Sequence, residues 1–292
     1  EGFADAELPV ELPDGGSETR KGWALPLLVN LAARDGRKLR AAFYDPRTVD
    51  GTLLISSQCA RKFPVVIFVH GAGIQQNVVE GWTIYSPNFK FATVLANRGF
   101  AVFEVDYRGS SGYGRDFRTD VAGHLGGKDL EDELAGVDYL KTLPCVDPDR
   151  IGIYGGSYGG FMAEMALFRH PEAFAAGAAL RPVADWTNYY RSNAYYCLQR
   201  LGTPEDHPEA YRISSPVNFA QALQDPLLLL HGVLDSNVPF QDTVQLTDRL
   251  QRSGKRFELM IYPREDHTFT EAENWIDEYS RILDFFTRQL QP

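Results

Sequence analysis

The segment Gly155-Gly156-Ser157-Tyr158-Gly159 sets a serine in a G-x-S-x-G pattern. It lies between an apolar run, "RIGIYGG" (residues 150–156), and a helix-like run, "YGGFMAEMALFRH" (residues 158–170). A strand that turns sharply into a helix exposes the oxygen of a serine at the bend, and it leaves little room for side chains at the flanking positions. The N–H of Tyr158 then opens a helix, where developing negative charge is favoured. A serine hydroxyl is a weak nucleophile. It needs a base, and the base needs a third group to orient it. In this strand–turn–helix setting the partners follow in the order acid, then histidine. Asp235 follows the apolar run "PLLLLHG" (residues 226–232), and His267 follows "RFELMIYP" (residues 256–263). Of the six histidines, His267 alone lies after both Ser157 and Asp235. Asp266 adjoins His267, but neighbouring loop residues rarely orient each other, so Asp235 is the expected acid. His231, beside the acid loop, reads as structural support. "FVHGAG" (residues 68–73) adds an H-G-x-G loop after another apolar run, where a second oxyanion donor belongs. That donor is either a backbone N–H around Gly71 to Gly73 or the His70 imidazole.

Such residues meet only if strands and helices carry them to one edge. "PVVIFVHG" (residues 64–71), "FAVFEVD" (100–106), "RIGIYGG", "FAAGAAL" (174–180), "PLLLLHG" and "RFELMIYP" read as strands, the first two buried on both faces. Helical patterns alternate with them over residues 86–99, 129–143, 158–170, 239–254 and 271–290, several with Gly stops. "KLRAAFYD" (residues 38–45) reads as a further strand, and "GTLLISSQCARK" (51–62) as a loop or edge strand. The expected fold class is α/β: a mostly parallel twisted sheet with helices on both faces, in the manner of an α/β-hydrolase. Ligands of such sheets bind beyond the carboxyl ends of the strands. Residues 181–225, rich in Tyr, Trp and Pro, are too long for a simple connection and are expected to cap or wall a site. Residues 1–37 are expected to be an arm or linker, and residues 38–292 the catalytic domain.

The chain has 292 residues, 44% of them hydrophobic, enough for one large core. Its formal net charge of -10 disfavours nucleic acid or an anionic membrane surface as partner. No apolar run approaches the roughly 20 residues of a membrane helix. Cys59, Cys145 and Cys197 are an odd number without a CxxC pair, so neither a zinc site nor a disulfide framework is expected, and one disulfide stays open. No metal or cofactor is called for. The N-terminus has neither the basic start nor the apolar stretch of a signal peptide, and it does not open with Met. The expectation is a processed or excised chain, its compartment left open between cytoplasmic and periplasmic or secreted.

"GGSYGG", "HGVLDSNVPFQ", "EDHTF", "DYRGSSGYG" and "LGTPED" together resemble the prolyl oligopeptidase family of serine peptidases, close to its acylaminoacyl peptidase and dipeptidyl peptidase IV branches. The resemblance covers about residues 65–290. It implies Ser157, Asp235 and His267 as a catalytic triad, the Tyr158 N–H as one oxyanion donor, and a short peptide as substrate. It also implies a first specificity pocket walled by Tyr158, Val183, Trp186, Tyr189 and Val238, with Asn237 beside it. Aromatic walls suit proline or another apolar residue. Several family members carry an oxyanion tyrosine where this chain has His70, and acylaminoacyl-type members have histidine there. Family members usually carry an N-terminal β-propeller, for which this chain has no room; it is either an excised catalytic domain or a stand-alone hydrolase, with homo-oligomerisation left open. The paired glutamates that bind a free amino terminus lie in the propeller branch, so exopeptidase and oligopeptidase action both stay open. A carboxylesterase or lipase with the same triad, and a non-catalytic binding module, are the alternatives.

Overall fold

Runs of β-branched and aromatic residues without polar interruption form strands only where both faces can be covered, and this requirement organises the chain. The computed structural model describes residues 8–11, 17–20, 24–47, 59, 61–79 and 86–291. Strands β1 (Leu8–Glu11) and β2 (Ser17–Arg20) pair antiparallel as a separate hairpin. The main sheet contains β3 (Leu27–Ala32), β4 (Lys38–Tyr44), β5 (Phe63–Val69), β6 (Ala101–Asp106), β7 (Val146–Gly156), β8 (Ala176–Leu180), β9 (Leu227–Gly232) and β10 (Glu258–Tyr262). Its order is β10-β9-β8-β7-β5-β6-β4-β3. From β10 to β6 all neighbours are parallel, whereas β4 and β3 run antiparallel. The mostly parallel α/β-hydrolase sheet is therefore present.

Ile67, Phe103 and Ile153 face one core, which is closed by Leu134 of α3 (Lys128–Lys141), Phe161 of α4 (Tyr158–Arg169) and Leu246 of α8 (Gln241–Arg252). Val66, Val102 and Tyr154 face the other, under Leu95 of α1 (Ser86–Asn97) and Phe286 of α9 (Ala272–Leu290). Between β8 and β9 the insertion folds into α5 (Trp186–Ser192), α6 (Ala194–Leu198) and α7 (Pro208–Ser214), followed by two short 3-10 turns. A short helix, α2 (Arg115–Thr119), follows β6.

The chain steps from β5 to β6 on one side, then returns to place β7 on the other side of β5. The connections thus diverge between β5 and β7, and a crevice opens where their carboxyl ends part. The loop after β5 begins at His70, and the bend after β7 carries Ser157.

One difference from the sequence reading stands out. The sheet begins at Leu27, inside the stretch assigned to the arm at residues 1–37, because Leu27 to Ala32 pairs antiparallel with Phe43 to Lys38. It is a half-buried edge strand, so its pattern is weaker than that of the central strands. "GTLLISSQCARK" lies outside the described residues except for Cys59, Arg61 and Lys62. Cys59 pairs with Cys145 in a disulfide, with Cα atoms 5.4 Å apart, and Cys197 is a buried free thiol.

Arg108, just after β6, is fully enclosed. Its Nε and Nη2 meet both Asp132 oxygens of α3 at 2.7–3.1 Å, and the Arg108 N–H donates to the same carboxylate at 2.7 Å. Asp35, in the β3–β4 turn, accepts from Nη1. Removing one partner of a buried pair leaves the other charge uncompensated. Arg108→Ala should therefore lower the free energy of unfolding by about 3–5 kcal/mol in urea titration; a loss below about 1 kcal/mol would show that Asp132 finds another partner or takes up a proton at little cost.

Candidate active site

The bend after β7 is built by backbone contact. Ser157 has φ 60° and ψ -116°, a conformation that L-residues avoid, and its N–H donates to Leu180 O at 2.8 Å. A Cβ at Gly159 would overlap the Val69 carbonyl oxygen. One at Gly155 would overlap the same oxygen and lie 2.7 Å from the Gly159 carbonyl carbon. These two positions need glycine. Gly156 does not, since its nearest neighbour would be the Arg181 guanidinium at 3.4 Å. The serine is thus lifted clear of the sheet at the start of α4, with the Tyr158 N–H in the first turn, where helix donors have no intrahelical acceptor.

Asp235 lies in the turn after β9, and His267 in the turn after β10. His267 Nδ1 stands 2.8 Å from Asp235 Oδ2. The other oxygen, Oδ1, accepts the N–H groups of Asn237 at 2.9 Å and Val238 at 2.7 Å. His231 Nε2 approaches Asp235 Oδ2 at 3.2 Å and Val238 O at 3.1 Å, while its Nδ1 meets Thr243 Oγ1 at 2.7 Å. Burial alone would raise the Asp235 carboxyl; the hydrogen bonds from His231 and His267 override it and hold the group well below the usual carboxylate range. Asp266 serves the backbone instead: its Oδ1 accepts Ser236 N–H at 2.7 Å and its own neighbour's His267 N–H at 2.6 Å. Among the described residues Ser157 Oγ makes no hydrogen bond. Ser157 and His267 are both partly exposed.

The His70 imidazole, one of two expected donors in its loop, is committed elsewhere. It is 1% exposed and stacked on Tyr107 at 4.3 Å. Nε2 lies 2.9 Å from Ser110 Oγ, and Nδ1 lies 3.0 Å from Gly71 O. With both nitrogens engaged inside the fold, no imidazole N–H is left for a substrate oxygen. The backbone of residues 71–73 is the remaining choice, and Ala72 there has φ 61°.

The expected pocket walls also differ. Trp186 is 0% exposed, and Val183 and Val238 are buried with it. The reason is Tyr196 of α6, which lies flat against Trp186 (centroids 6.1 Å apart, planes 7° apart) and donates its hydroxyl to Ala72 O at 2.8 Å. Tyr158, Phe161 and Tyr189 close the remaining sides of the indole. Tyr189 OH reaches Asn237 Oδ1 at 3.0 Å, and Asn193 Nδ2 donates to Asn237 O at 2.9 Å. Sequence reasoning missed Tyr196 and Asn193. The tyrosine-rich insertion was their only signal.

The loop beyond Gly73 is fastened to β6. Asp106 accepts the N–H groups of Asn77 at 2.8 Å and Val78 at 3.2 Å, plus the Tyr113 hydroxyl at 2.6 Å. Glu104 accepts Asn77 Nδ2 at 2.7 Å. Among the described residues no group of three His, Cys, Asp or Glu side chains could hold a metal ion.

The model of the prolyl oligopeptidase family matches residues 87–292. The chain belongs to the prolyl oligopeptidase family. Dipeptidyl peptidase 8 of Mus musculus is 32% identical over 269 residues, which are 91% of this chain and 29% of that protein. Dipeptidyl peptidase 4 of Porphyromonas gingivalis superposes with a TM-score of 0.83 at 28% identity, over 92% of this chain and 36% of that one. The acylaminoacyl peptidase of Pyrococcus horikoshii gives 0.80 at 26% identity, over 92% of this chain and 42% of that one. The chain thus spans well under half the length of these prolyl oligopeptidase relatives.

Burial, with the Asp106 carboxylate beside it, pushes the Glu104 carboxyl up to about 8. The folded protein then holds a proton that the unfolded chain has released at any pH between the ordinary value of 4.5 and about 8. Stability should fall as pH rises through that window. Glu104→Gln should flatten the fall and exceed the wild type by about 1 kcal/mol or more near its upper end, in denaturant titrations across pH. Parallel curves for the two proteins would assign the dependence to another group.

Proposed function

We propose that this chain is the catalytic part of a serine peptidase that cleaves short peptides through an acyl-enzyme. The observation that carries the reading is the 2.8 Å contact of His267 Nδ1 with Asp235, on the same sheet edge as a serine held in a strained, exposed bend. With Nδ1–H donated to the carboxylate, Nε2 is left unprotonated and free to act as base. Ser157 Oγ attacks the peptide carbonyl while its proton passes to His267 Nε2. The tetrahedral oxyanion is met by the Tyr158 N–H and a backbone N–H of residues 71–73. The proton then moves to the departing amine as the C–N bond breaks. Water repeats the sequence on the ester and frees Ser157.

The acyl-side residue is taken to be apolar or proline-like. Tyr189, Tyr196 and Asn237 are the groups it would meet, with Val183, Trp186 and Val238 supporting them from behind. An unpaired charge buried against such rings is costly. The names of the relatives, dipeptidyl and acylaminoacyl peptidases, favour amide over ester substrates and leave open what the amino-terminal side of the substrate carries.

Ser157→Ala should keep the fold and lose about 10³-fold or more in turnover of a peptide anilide. Asp235→Asn should lose about 10⁴-fold in kcat by trapping the wrong imidazole tautomer. Asp266→Asn should lose far less, since it holds backbone. A silent Asp235→Asn beside an inactive Asp266→Asn would reverse the two aspartates. A matched ester cleaved with no peptide turnover would replace the peptidase by an esterase.

In a peptide library, Pro, Ala or Phe on the acyl side should exceed Lys or Glu by about 10-fold or more in kcat/KM. Equal rates after Lys or Glu would remove the apolar pocket and leave the triad standing.

A further inference from the structure

We propose that Arg181 anchors a carboxylate on the leaving side of the cleaved bond, one or two residues past it. The carboxylate is either the free end of the peptide or an Asp or Glu side chain. This anchoring rests on the peptidase reading above and adds a substrate feature to it.

Arg181 directly follows β8 and sits at φ 40°, a bend that glycine adopts more easily than arginine. Its backbone is fixed on both sides. Leu180 O accepts the Ser157 N–H at 2.8 Å, and the Arg181 N–H donates to Leu230 O at 2.6 Å. The guanidinium is fixed as well. It lies 5.3 Å from the centre of the Phe269 ring and 5.3 Å from that of Trp275, and Nη1 donates to Glu278 Oε1 at 2.9 Å. Glu278 is fully buried on α9. A group held this way loses little freedom when it takes a ligand. Among the described residues, Nε and Nη2 have no acceptor. They form one edge of a planar fork of N–H donors, and a carboxylate meets such an edge with paired parallel bonds. The side chain is 12% exposed, and neither open nitrogen is sealed from solvent.

That edge faces Gly156, the residue before Ser157. A Cβ at Gly156 would stand 3.4 Å from Nη2 and 3.7 Å from Nε. This is ordinary contact, so packing does not demand glycine there as it does at Gly155 and Gly159. What the missing side chain leaves open is the way from the serine to Arg181. Strand alternation sets the face. Gly152, Tyr154 and Gly156 point to the side of the sheet covered by α9: Tyr154 belongs to that core, and a Cβ at Gly152 would meet Phe286. Phe269 and Trp275 pack on the same side. Trp186, Tyr189 and Val238, which support the acyl side, belong to the opposite core. The cleaved bond lies over Ser157, between the two faces. A peptide whose acyl part enters among the insertion's rings therefore carries its leaving part toward Arg181. His267 agrees with this direction. In the proposed reaction it hands the proton to the leaving amine, and Phe269, close behind it in the same loop, lies against the guanidinium. The reach is short. Adjacent Cα atoms are about 3.8 Å apart, and an extended chain gains about 3.3–3.6 Å per residue. A guanidinium touching the Gly156 position is thus one or two residues from the cleaved bond.

Matched peptides test the anchor. They share one acyl sequence and one or two leaving residues, and they end as the free acid, as the amide, or as the amide with Asp or Glu among the leaving residues. Turnover is followed by mass spectrometry of the products. The wild type should cleave a carboxylate-bearing form with kcat/KM about 10-fold or more above the plain amide, because a charge-assisted pair goes with the charge. Preference for the free acid identifies the end of the peptide as the ligand; preference for the Asp or Glu amide identifies the side chain. In Arg181→Met and in Gly156→Leu the ratio of carboxylate form to plain amide should fall to within about 3-fold of unity. The ratio divides out any general loss of activity. Gly156→Leu keeps the pair with Glu278 and covers the guanidinium, so it decides the assignment if Arg181→Met fails to fold. A wild type that cleaves the plain amide as fast as every carboxylate form would overturn the proposal without any variant. So would a preference that survives both substitutions. A wild type that neither turns over peptide nor labels at Ser157 with a fluorophosphonate would overturn the peptidase reading and the anchor with it. An active, labelled wild type without the preference would overturn the anchor alone.

Discussion

The approach of Gly159 to the Val69 carbonyl is the constraint on which this architecture turns. No side chain fits between the first turn of α4 and the end of β5, so helix and strand meet backbone to backbone. That contact does two things at once. It forces Ser157 into its strained bend, and it lays the loop that leaves β5 beside that bend. Because β5 and β7 are neighbours from which the chain departs in opposite directions, the two loops border one crevice. Ser157 and the loop after β5 are therefore held by the same few atoms. The left-handed strain at Ser157 and Ala72 is sustained by the surrounding packing.

A second device recurs behind the site. Buried carboxylates act as sockets for backbone N–H groups that loops would otherwise leave unpaired. Asp106 takes Asn77 and Val78; Asp132 takes Arg108; Asp242 takes Ala184 and Asp185; Glu265 takes Thr270 and Glu271. Asp129 takes Gly126 and Leu130 and binds the Tyr158 hydroxyl, which pins the ring next to the serine. Burial raises several of these groups, Asp242 to about 7, so the arrangement costs stability at higher pH. What it gains is loop geometry: irregular segments around the crevice are each tied to a helix or strand that cannot move without breaking the core.

The central strands, the serine bend and the order Ser157, Asp235, His267 were legible in the sequence because each depends on local pattern: a continuous apolar run, a glycine pair, a polar turn at a strand end. The strand Leu27–Ala32 was not, because an edge strand is half-wet and followed a linker-like composition. The cover that Tyr196 forms over Trp186 was not legible either, since α5 and α6 are only 7 and 5 residues long and too short for a period to fix their faces. His70 was recognised by position, but its engagement depends on Tyr107 and Ser110, 37 and 40 residues away. The Cys59–Cys145 link joins positions 86 apart, which spacing alone does not predict. What failed to show was tertiary in each case.

The acid loop shows why two adjacent aspartates in space are not interchangeable. Asp235 has both oxygens engaged, Oδ1 by two N–H groups of its own turn and Oδ2 by His267 and His231. Its carboxylate plane is therefore fixed by the turn rather than by the histidine it orients. His231 is anchored in turn by Thr243 of α8, so the orientation of His267 traces back to a core helix. Asp266 bonds the backbone of His267 and the side chain and backbone of Ser236, joining the two loops at their main chains. One aspartate thus sets where the imidazole points and the other sets where its Cα stands. In the reaction proposed above, His267 accepts a proton and returns it, and that role needs both, because rotation about the ring and drift of the loop would each break the line from serine to leaving group.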